Sequence, residues 1–329
     1  MKGMSLMDDD ARHSLLSIFT ELWDDHGPRY EAQQAFWNRR AQSFSDHLID
    51  SRHRRRFEEL YAWLKELGAL HEASHILDIG CGPGTYAIPF AKLGHHVTGI
   101  DIAPEMIARA KDNAAHYGIS ERTAFQTAVW EELDVAAQGW EQAFDLVFAS
   151  MTPAIRNAEA LYKMLRVCRG GCFLSSFIDR RDPFVRRIRA RLGLSSGTRP
   201  MNRIYAAFNL LWLNGYFPSI RYIDERWEQS FTVDEAIEHF RHFMRLQLVD
   251  EARLDETVEK TVRAIAEEQA SNVIRQTVEV KIAWLYWPAK DRSATAGRPI
   301  AEAMAGAIPR TGKEEATDTE RSNGAQRGR

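Results

Sequence analysis

The sequence predicts a doubly wound α/β fold on a mostly parallel, seven-stranded sheet. Three observations carry this. Short β-branched or apolar runs alternate with helical stretches between His75 and Phe177. One of those runs ends in a glycine-rich turn that opens a helix. The chain, at 329 residues, 44% hydrophobic and 27% charged, can bury a sizeable core without disulfide or metal staples. Strands and helices alternating at this spacing imply right-handed crossovers and parallel pairing.

Taken in order, residues from about Asp8 to Leu70 read as helical. Leu15, Ile18, Phe19 and Leu22 recur at i, i+3, i+4, i+7, as do Phe57, Leu60, Tyr61 and Leu64, with a break at Gly27-Pro28. Strands are predicted at His75–Ile79, Val97–Asp101, Thr123–Ala128, Phe144–Ala149 and, after a Gly170-Gly171 turn, Cys172–Phe177. Helices fall between them at Tyr86–Leu93, Pro104–Tyr117 and Glu159–Val167. Beyond Phe177 the alternation stops: Arg180–Gly197 and Arg203–Leu213 read as helices and Arg221–Phe231 as a strand. Thr232 opens a capping box with Glu235, starting a helix through about Leu248. A polar helix follows over Asp255–Ala270, then a long strand over Val273–Trp287, stopped by Pro288. Residues 289–329 have almost no large apolar side chains and are expected to stay disordered. The chain thus divides into an N-terminal helical cap or lid (1–70), an α/β domain (71–288) with helical insertions at about 180–217 and 232–270, and a tail.

Lys+Arg 43 against Asp+Glu 46 leaves a net charge of -3, so no overall pull toward nucleic acid or anionic membrane is expected. Cys81, Cys168 and Cys172 are too few for a disulfide framework and fit a reducing compartment. The N-terminus MKGMSLMDDDARH lacks the apolar stretch of a signal peptide, and the run Ile282–Trp287 is far short of the roughly 20 residues that span a bilayer. A cytoplasmic protein with no membrane partner is expected.

The informative segment is Asp78-Ile-Gly80-Cys81-Gly82-Pro-Gly84-Thr-Tyr86, a strand end, a turn and a helix start. Ligands of parallel sheets lie outside the strand ends, and glycines there let the chain bend and expose bare backbone. Asp101, 21 positions beyond Gly80 at the end of the next strand, can accept hydrogen bonds from both hydroxyls of a ribose. A dinucleotide fingerprint needs G-x-G-x-x-G, whereas here the third glycine comes one residue early. Asp78 beside the turn would repel a pyrophosphate but could bind an ammonium, directly or through water. A nucleoside bearing an amino acid therefore fits better than NAD or FAD.

D-I-G-C-G-P-G-T with an acid closing the second strand resembles the cofactor motif of class I S-adenosylmethionine-dependent methyltransferases of small-molecule type. The resemblance covers about His71–Phe177. It implies that Gly80, Gly82 and Gly84, with Cys81 inside the turn, approach the methionine part, that Asp78 serves its amino group and Asp101 its ribose, and that Ile102 flanks the adenine. It also implies that the last two strands form an antiparallel pair, and that the product is S-adenosylhomocysteine. Relatives often carry an acid after the third strand. Here the stretch is Thr127-Ala128-Val129-Trp130-Glu131, so that acid is missing or displaced, and Val129 and Trp130 either pack on the adenine or, for Trp130, sit in the core.

The fourth strand ends Ser150-Met151-Thr152-Pro153, which departs from the N/D-P-P-Y/F of relatives that methylate planar amides or amines. Ser150 and Thr152 either bond a ligand or cap the local turn. Trp37, Arg40 and Phe44, in the run FWNRRAQSF, resemble the W-x-x-R-A-x-x-[YF] lead-in that closes over the cofactor as a lid, with simple docking on the domain as the alternative. The run Arg52-His53-Arg54-Arg55-Arg56 and the arginines between 180 and 203 suggest anion binding, but charge runs are commonly solvated helix faces, and an acidic small substrate suits them better than RNA. His239 and His242 lack a third ligand at metal spacing, so no metal is expected.

The activity implied is transfer of a methyl group to a small-molecule acceptor by in-line displacement, in which the protein mainly aligns the nucleophile. Tyr86 and Thr152 are the polar candidates to orient it, and no base stands out. An RNA methyltransferase using the Arg-rich insert and a non-catalytic cofactor-binding protein are the alternatives. Phe208–Phe217 (FNLLWLNGYF) reads as a pocket wall or a homodimer contact.

Overall fold

His75–Ile79 (β1) is buried at every position but its first, as befits a central strand covered on both faces. Around it the computed structural model, which describes residues 8–23, 30–45, 51–194, 203–244 and 251–289 (of 42–45 and 251 the backbone alone), sets six more strands. These are β2 (His96–Asp101), β3 (Thr123–Thr127), β4 (Phe144–Ser150), β5 (Cys168–Arg181), β6 (Ser219–Thr232) and β7 (Val273–Pro288). The sheet order is β3-β2-β1-β4-β5-β7-β6. The first five strands are parallel, and β7 runs antiparallel between β5 and β6. The fold class is the predicted one, and the last two strands form the antiparallel pair that the resemblance implied.

The described helices are α1 (Asp9–Trp23), α2 (Tyr30–Ser45), α3 (Ser51–Glu66), α4 (Ala87–Lys92), α5 (Pro104–His116), α6 (Ala158–Val167), α7 (Pro183–Arg191), α8 (Arg203–Leu213), α9 (Val233–Met244) and α10 (Glu251–Gln269). Their starts follow local chemistry. Asn157 accepts the Ala160 N–H at 2.8 Å to open α6, and Asp182 accepts that of Val185 at 3.1 Å to open α7, with Pro183 in the first turn. The predicted capping box is present: Thr232 N–H donates to Glu235 Oε2 at 2.8 Å, and Glu235 N–H to Thr232 Oγ1 at 3.3 Å.

Phe57, Leu60 and Leu64 of α3 join α4, α5 and the sheet in the main core, so the third N-terminal helix is part of the body of the domain. Further out, α2 lies on α5, with Ala41 against Met106 and Gln34 donating to the Ile102 carbonyl at 2.9 Å. In its turn α1 lies on α8, where Phe19 and Tyr205 meet edge to face at 5.6 Å. A second core joins α7, α9 and α10 through Ile188, Phe240, Val258 and Val262. Among the described residues no helix is long and apolar enough to cross a membrane.

Two local readings are corrected. Gly170-Gly171 is not a turn before a strand but the early part of β5 itself. A Cβ on Gly170 would collide with the Asp145 carbonyl and one on Gly171 with the Tyr286 ring, so the glycines serve close strand approach. Arg180 and Arg181 belong to β5 rather than to a helix, which starts only at Pro183. The Gly27-Pro28 break, the end of the helix near Leu248 and the tail beyond 289 lie outside the described residues.

Candidate functional site

The parallel strands end together at Gly80, Asp101 and Ser150, and the turn after β1 is built to be crossed closely. Gly80, Gly82 and Gly84 all have positive φ (72°, 54° and 90°). The N–H groups of Gly80 and Cys81 donate to the Ile100 carbonyl at 2.8 and 3.0 Å, bending the chain back over β2. The three glycines then differ. A Cβ on Gly80 would overlap Thr152, and one on Gly84 would lie 2.7 Å from Ile88 Cγ1. At Gly82 the nearest atom is Met106 Sδ at 3.9 Å, so only this glycine presents an open side.

Two acids flank the turn. Asp101 Oδ2 accepts the Gly82 N–H and Oδ1 the Ala103 N–H, each at 2.9 Å. Burial raises its carboxyl to about 6, against the backbone donors, which lower it. Asp78 is 2% exposed, and burial, followed by the Asp101 charge, raises it to about 8. Its Oδ2 is buried with no hydrogen-bond partner. An acceptor left without a donor among like charges is the environment an ammonium group would relieve. The chemistry here therefore fits the amino acid end of the implied cofactor.

A cavity of about 550 Å³ opens over the turn, within the range of small-molecule sites. Gly80, Cys81, Gly82, Asp101, Ile102, Val129, Trp130 and Ser150 line it, as do Tyr86 and Thr152. Asp78 and Gly84 are not among the lining residues. From the N-terminal helices, Trp37 and Arg40 line it, while the side chain of Phe44 lies outside the described residues. Glu131 also lines it, in an ion pair with Arg156 at 3.7 Å, so an acid after β3 is displaced rather than missing.

Several of these groups hold structural bonds as well. Trp130 is 2% exposed and donates its indole N–H to the Ala160 carbonyl at 3.1 Å, so it belongs to core and cavity wall together. Ser150 Oγ bonds Ser175 Oγ at 2.9 Å, and Thr152 Oγ1 accepts the Ala154 N–H at 3.1 Å. Between them Met151 sits at φ +55°, a strained conformation for a side chain of its size. The Tyr86 ring leans on Phe148 at 5.0 Å, and its hydroxyl helps hold the charge of Arg56, which forms a half-buried ion pair with Glu225 of β6.

Sequence reasoning set aside residues that the fold brings into the wall. Arg52, His53 and Arg56 share one helical face toward the cavity, while Arg54 and Arg55 are exposed. Arg180 and His239 also line it, with Phe177, Trp227 and Phe243. The i, i+1, i+4 spacing of 52, 53 and 56 was the available signal. His242 Nε2 takes the Arg39 Nε–H at 2.9 Å.

Residues 70–198 match a family model described as a methyltransferase domain. Over 97 residues the chain is 36% identical to the 23S rRNA (uracil(1939)-C(5))-methyltransferase RlmD of Shewanella amazonensis, covering 30% of this chain and 21% of that protein. Over 149 residues it is 30% identical to "Probable methyltransferase ltbC" of Aspergillus luteorubrus, covering 42% and 51%. The chain thus spans about a fifth and a half of these relatives. Among solved structures, magnesium protoporphyrin IX methyltransferase from Synechocystis PCC 6803 is similar at a TM-score of 0.39 and 22% identity, over 52% of this chain and 76% of that one.

Proposed function

From the match of residues 70–198 to a methyltransferase domain, we propose that the protein is a class I, S-adenosylmethionine-dependent enzyme that methylates a small molecule held in the cavity above the glycine turn. The observation that carries this is the joint placement of an open-sided Gly82, a buried Asp78, a half-buried Asp101 and a 550 Å³ cavity at one sheet edge. S-adenosylmethionine supplies a methyl group already activated on a sulfonium, and its transfer leaves S-adenosylhomocysteine.

The side chains then have separable duties. Asp78 balances the ammonium, and Asp101 offers its remaining lone pairs to the ribose while still holding Gly82. Ile102 and Val129 give an apolar strip for the base, with Trp130 closing its end. Trp37 and Phe36 cover the site from α2 and keep water away from a centre whose charge is lost during transfer. Tyr86, packed on Phe148, with Ser150 and Thr152, orients the acceptor. The acceptor is read as small because exposed arginines of the basic insert are tied to acids of the same chain: Arg187 to Glu268 at 2.6 Å and Arg181 to Asp179 at 3.2 Å. That is a poor track for phosphates.

The experiment is to incubate the full chain with methyl-labelled S-adenosylmethionine and either a low-mass metabolite extract or ribosomal RNA. Label is expected in the low-mass fraction. Label in RNA would overturn the acceptor class, and label in neither would overturn the enzymatic reading.

A further inference from the structure

Past the ends of the parallel strands, β5, β6, β7 and α9 build a wall that the glycine turn does not require. Phe177, Trp227, Phe243 and Ile282 make it apolar, and Arg180 and His239 are set into it. Arg180 is held stiffly: its guanidinium carbon stands 5.0 Å from the ring centroid of Phe243, 5.8 Å from Phe177 and 5.9 Å from Trp227. Nη2 donates to Asp182 Oδ2 at 3.1 Å. Asp182 is anchored in turn, its Oδ1 taking the Val185 N–H and Gln276 Nε2 at 2.8 Å.

Arg180 Nε is buried and has no acceptor. A second cation faces it: burial, then the Arg180 charge, holds the Arg40 guanidinium below its usual value. His239 feels both. Burial, then Arg40, pushes it down to about 4, with Arg180 and His242 adding and Asp182 opposing, so it is neutral at pH 7. Like charges gathered at the apolar side of a cavity, one with an unused N–H, form a site that an anion would complete.

Resting on the proposed function above, we propose that this wall binds the methyl acceptor and that the acceptor is an aryl carboxylic acid, its carboxylate on Arg180 and its flat body among Phe177, Trp227 and Phe243. A single negative charge suits the site better than a phosphate dianion, because the surroundings are apolar and each extra charge must be desolvated.

The test is calorimetric titration of the full chain, with and without saturating S-adenosylhomocysteine, using benzoate, cinnamate and indole-3-acetate and, as neutral counterparts, their primary amides. At least one acid is expected to bind, its amide at least tenfold more weakly. Arg180→Gln is expected to weaken the acid by ~10- to 100-fold, the range of a charge-assisted hydrogen bond, while leaving S-adenosylhomocysteine within about twofold. Equal binding of acids and amides, no binding by any acid, or an unchanged acid affinity in Arg180→Gln would overturn the proposal. So would loss of S-adenosylhomocysteine with the acid kept, which would give Arg180 to the cofactor's own carboxylate. Should Arg180→Gln not fold, Arg180→Met keeps an apolar stem among the three rings without charge or donor, and unchanged acid affinity there has the same force. Failure of the wild type to bind S-adenosylhomocysteine would speak against the reading of the glycine turn alone, since the acid titration without it still decides this one.

Discussion

The Asp101 carboxylate accepts the Gly82 N–H at 2.9 Å, so the acid that ends β2 also shapes the turn that follows β1. A second bond, from the Ala103 N–H at 2.9 Å, fixes the other oxygen. Ligand binding and the fold of the turn therefore share one side chain. Asp101→Ala is expected to weaken S-adenosylhomocysteine by ~10- to 100-fold, equivalent to about 1.5–3 kcal/mol, and to lower the melting temperature as well. Asp101→Asn, which retains one acceptor oxygen, should lose less of both. Calorimetry beside thermal melts checks this, and a melting temperature unchanged in Asp101→Ala would show that the two bonds add nothing to the turn.

The glycines should separate stability from binding. At Gly80 a methyl group meets Thr152 in a backbone of φ +72°, so Gly80→Ala should cost stability by ~1–3 kcal/mol. At Gly82 a methyl group finds open space, with Met106 Sδ 3.9 Å away, so Gly82→Ala should add only the left-handed strain of ~1–2 kcal/mol while blocking the ligand. Denaturant unfolding and ligand titration of both variants are expected to rank them in opposite orders.

Trp130 has a predicted cost of its own. Trp130→Phe removes the bond to the Ala160 carbonyl and should destabilise by about 1 kcal/mol, and Trp130→Ala by about 3–5 kcal/mol through the cavity it leaves. Denaturant midpoints measure both.

How much of this was legible beforehand depended on how local the cause was. The strand, turn and helix from His75 to Lys92 were readable because burial, the glycines and the helix start all lie in one continuous stretch. The Thr232–Glu235 box was readable for the same reason. Gly170-Gly171 was misread because what demands glycine there, the Asp145 carbonyl and the Tyr286 ring, comes from β4 and β7. Arg180 looked like solvated charge, and His239 like half of a histidine pair short of a third ligand, because their meeting depends on α9 folding back from β6 over the end of β5. Asp78 was readable as an acid beside the turn, but not its isolation from solvent and from a second donor.

That isolation has a pH signature. The ordinary value for the Asp78 carboxyl is 3.8, and in the fold burial and the Asp101 charge raise it to about 8. Between these values the ligand-free fold holds a proton that the unfolded chain has lost, so its stability is expected to fall as pH climbs through that window. A bound ammonium favours the ionised carboxylate, so binding should expel the proton. S-adenosylhomocysteine affinity is then expected to rise up to about pH 8, by no more than about tenfold per unit. Thermal melts and titrations across pH 5–9 check the two slopes, and Asp78→Asn should flatten both above about pH 6, leaving below it the slope that belongs to Asp101.

The most direct test of the central claim is calorimetric titration of the full chain at pH 7 with S-adenosylhomocysteine, in buffers of different ionisation enthalpy, beside a nicotinamide dinucleotide. One molecule is expected to bind per chain, with proton release that disappears in Asp78→Asn and no heat from the dinucleotide. Binding of the dinucleotide without S-adenosylhomocysteine, or binding of the latter unchanged in Gly82→Ala and Asp78→Asn, would contradict the claim.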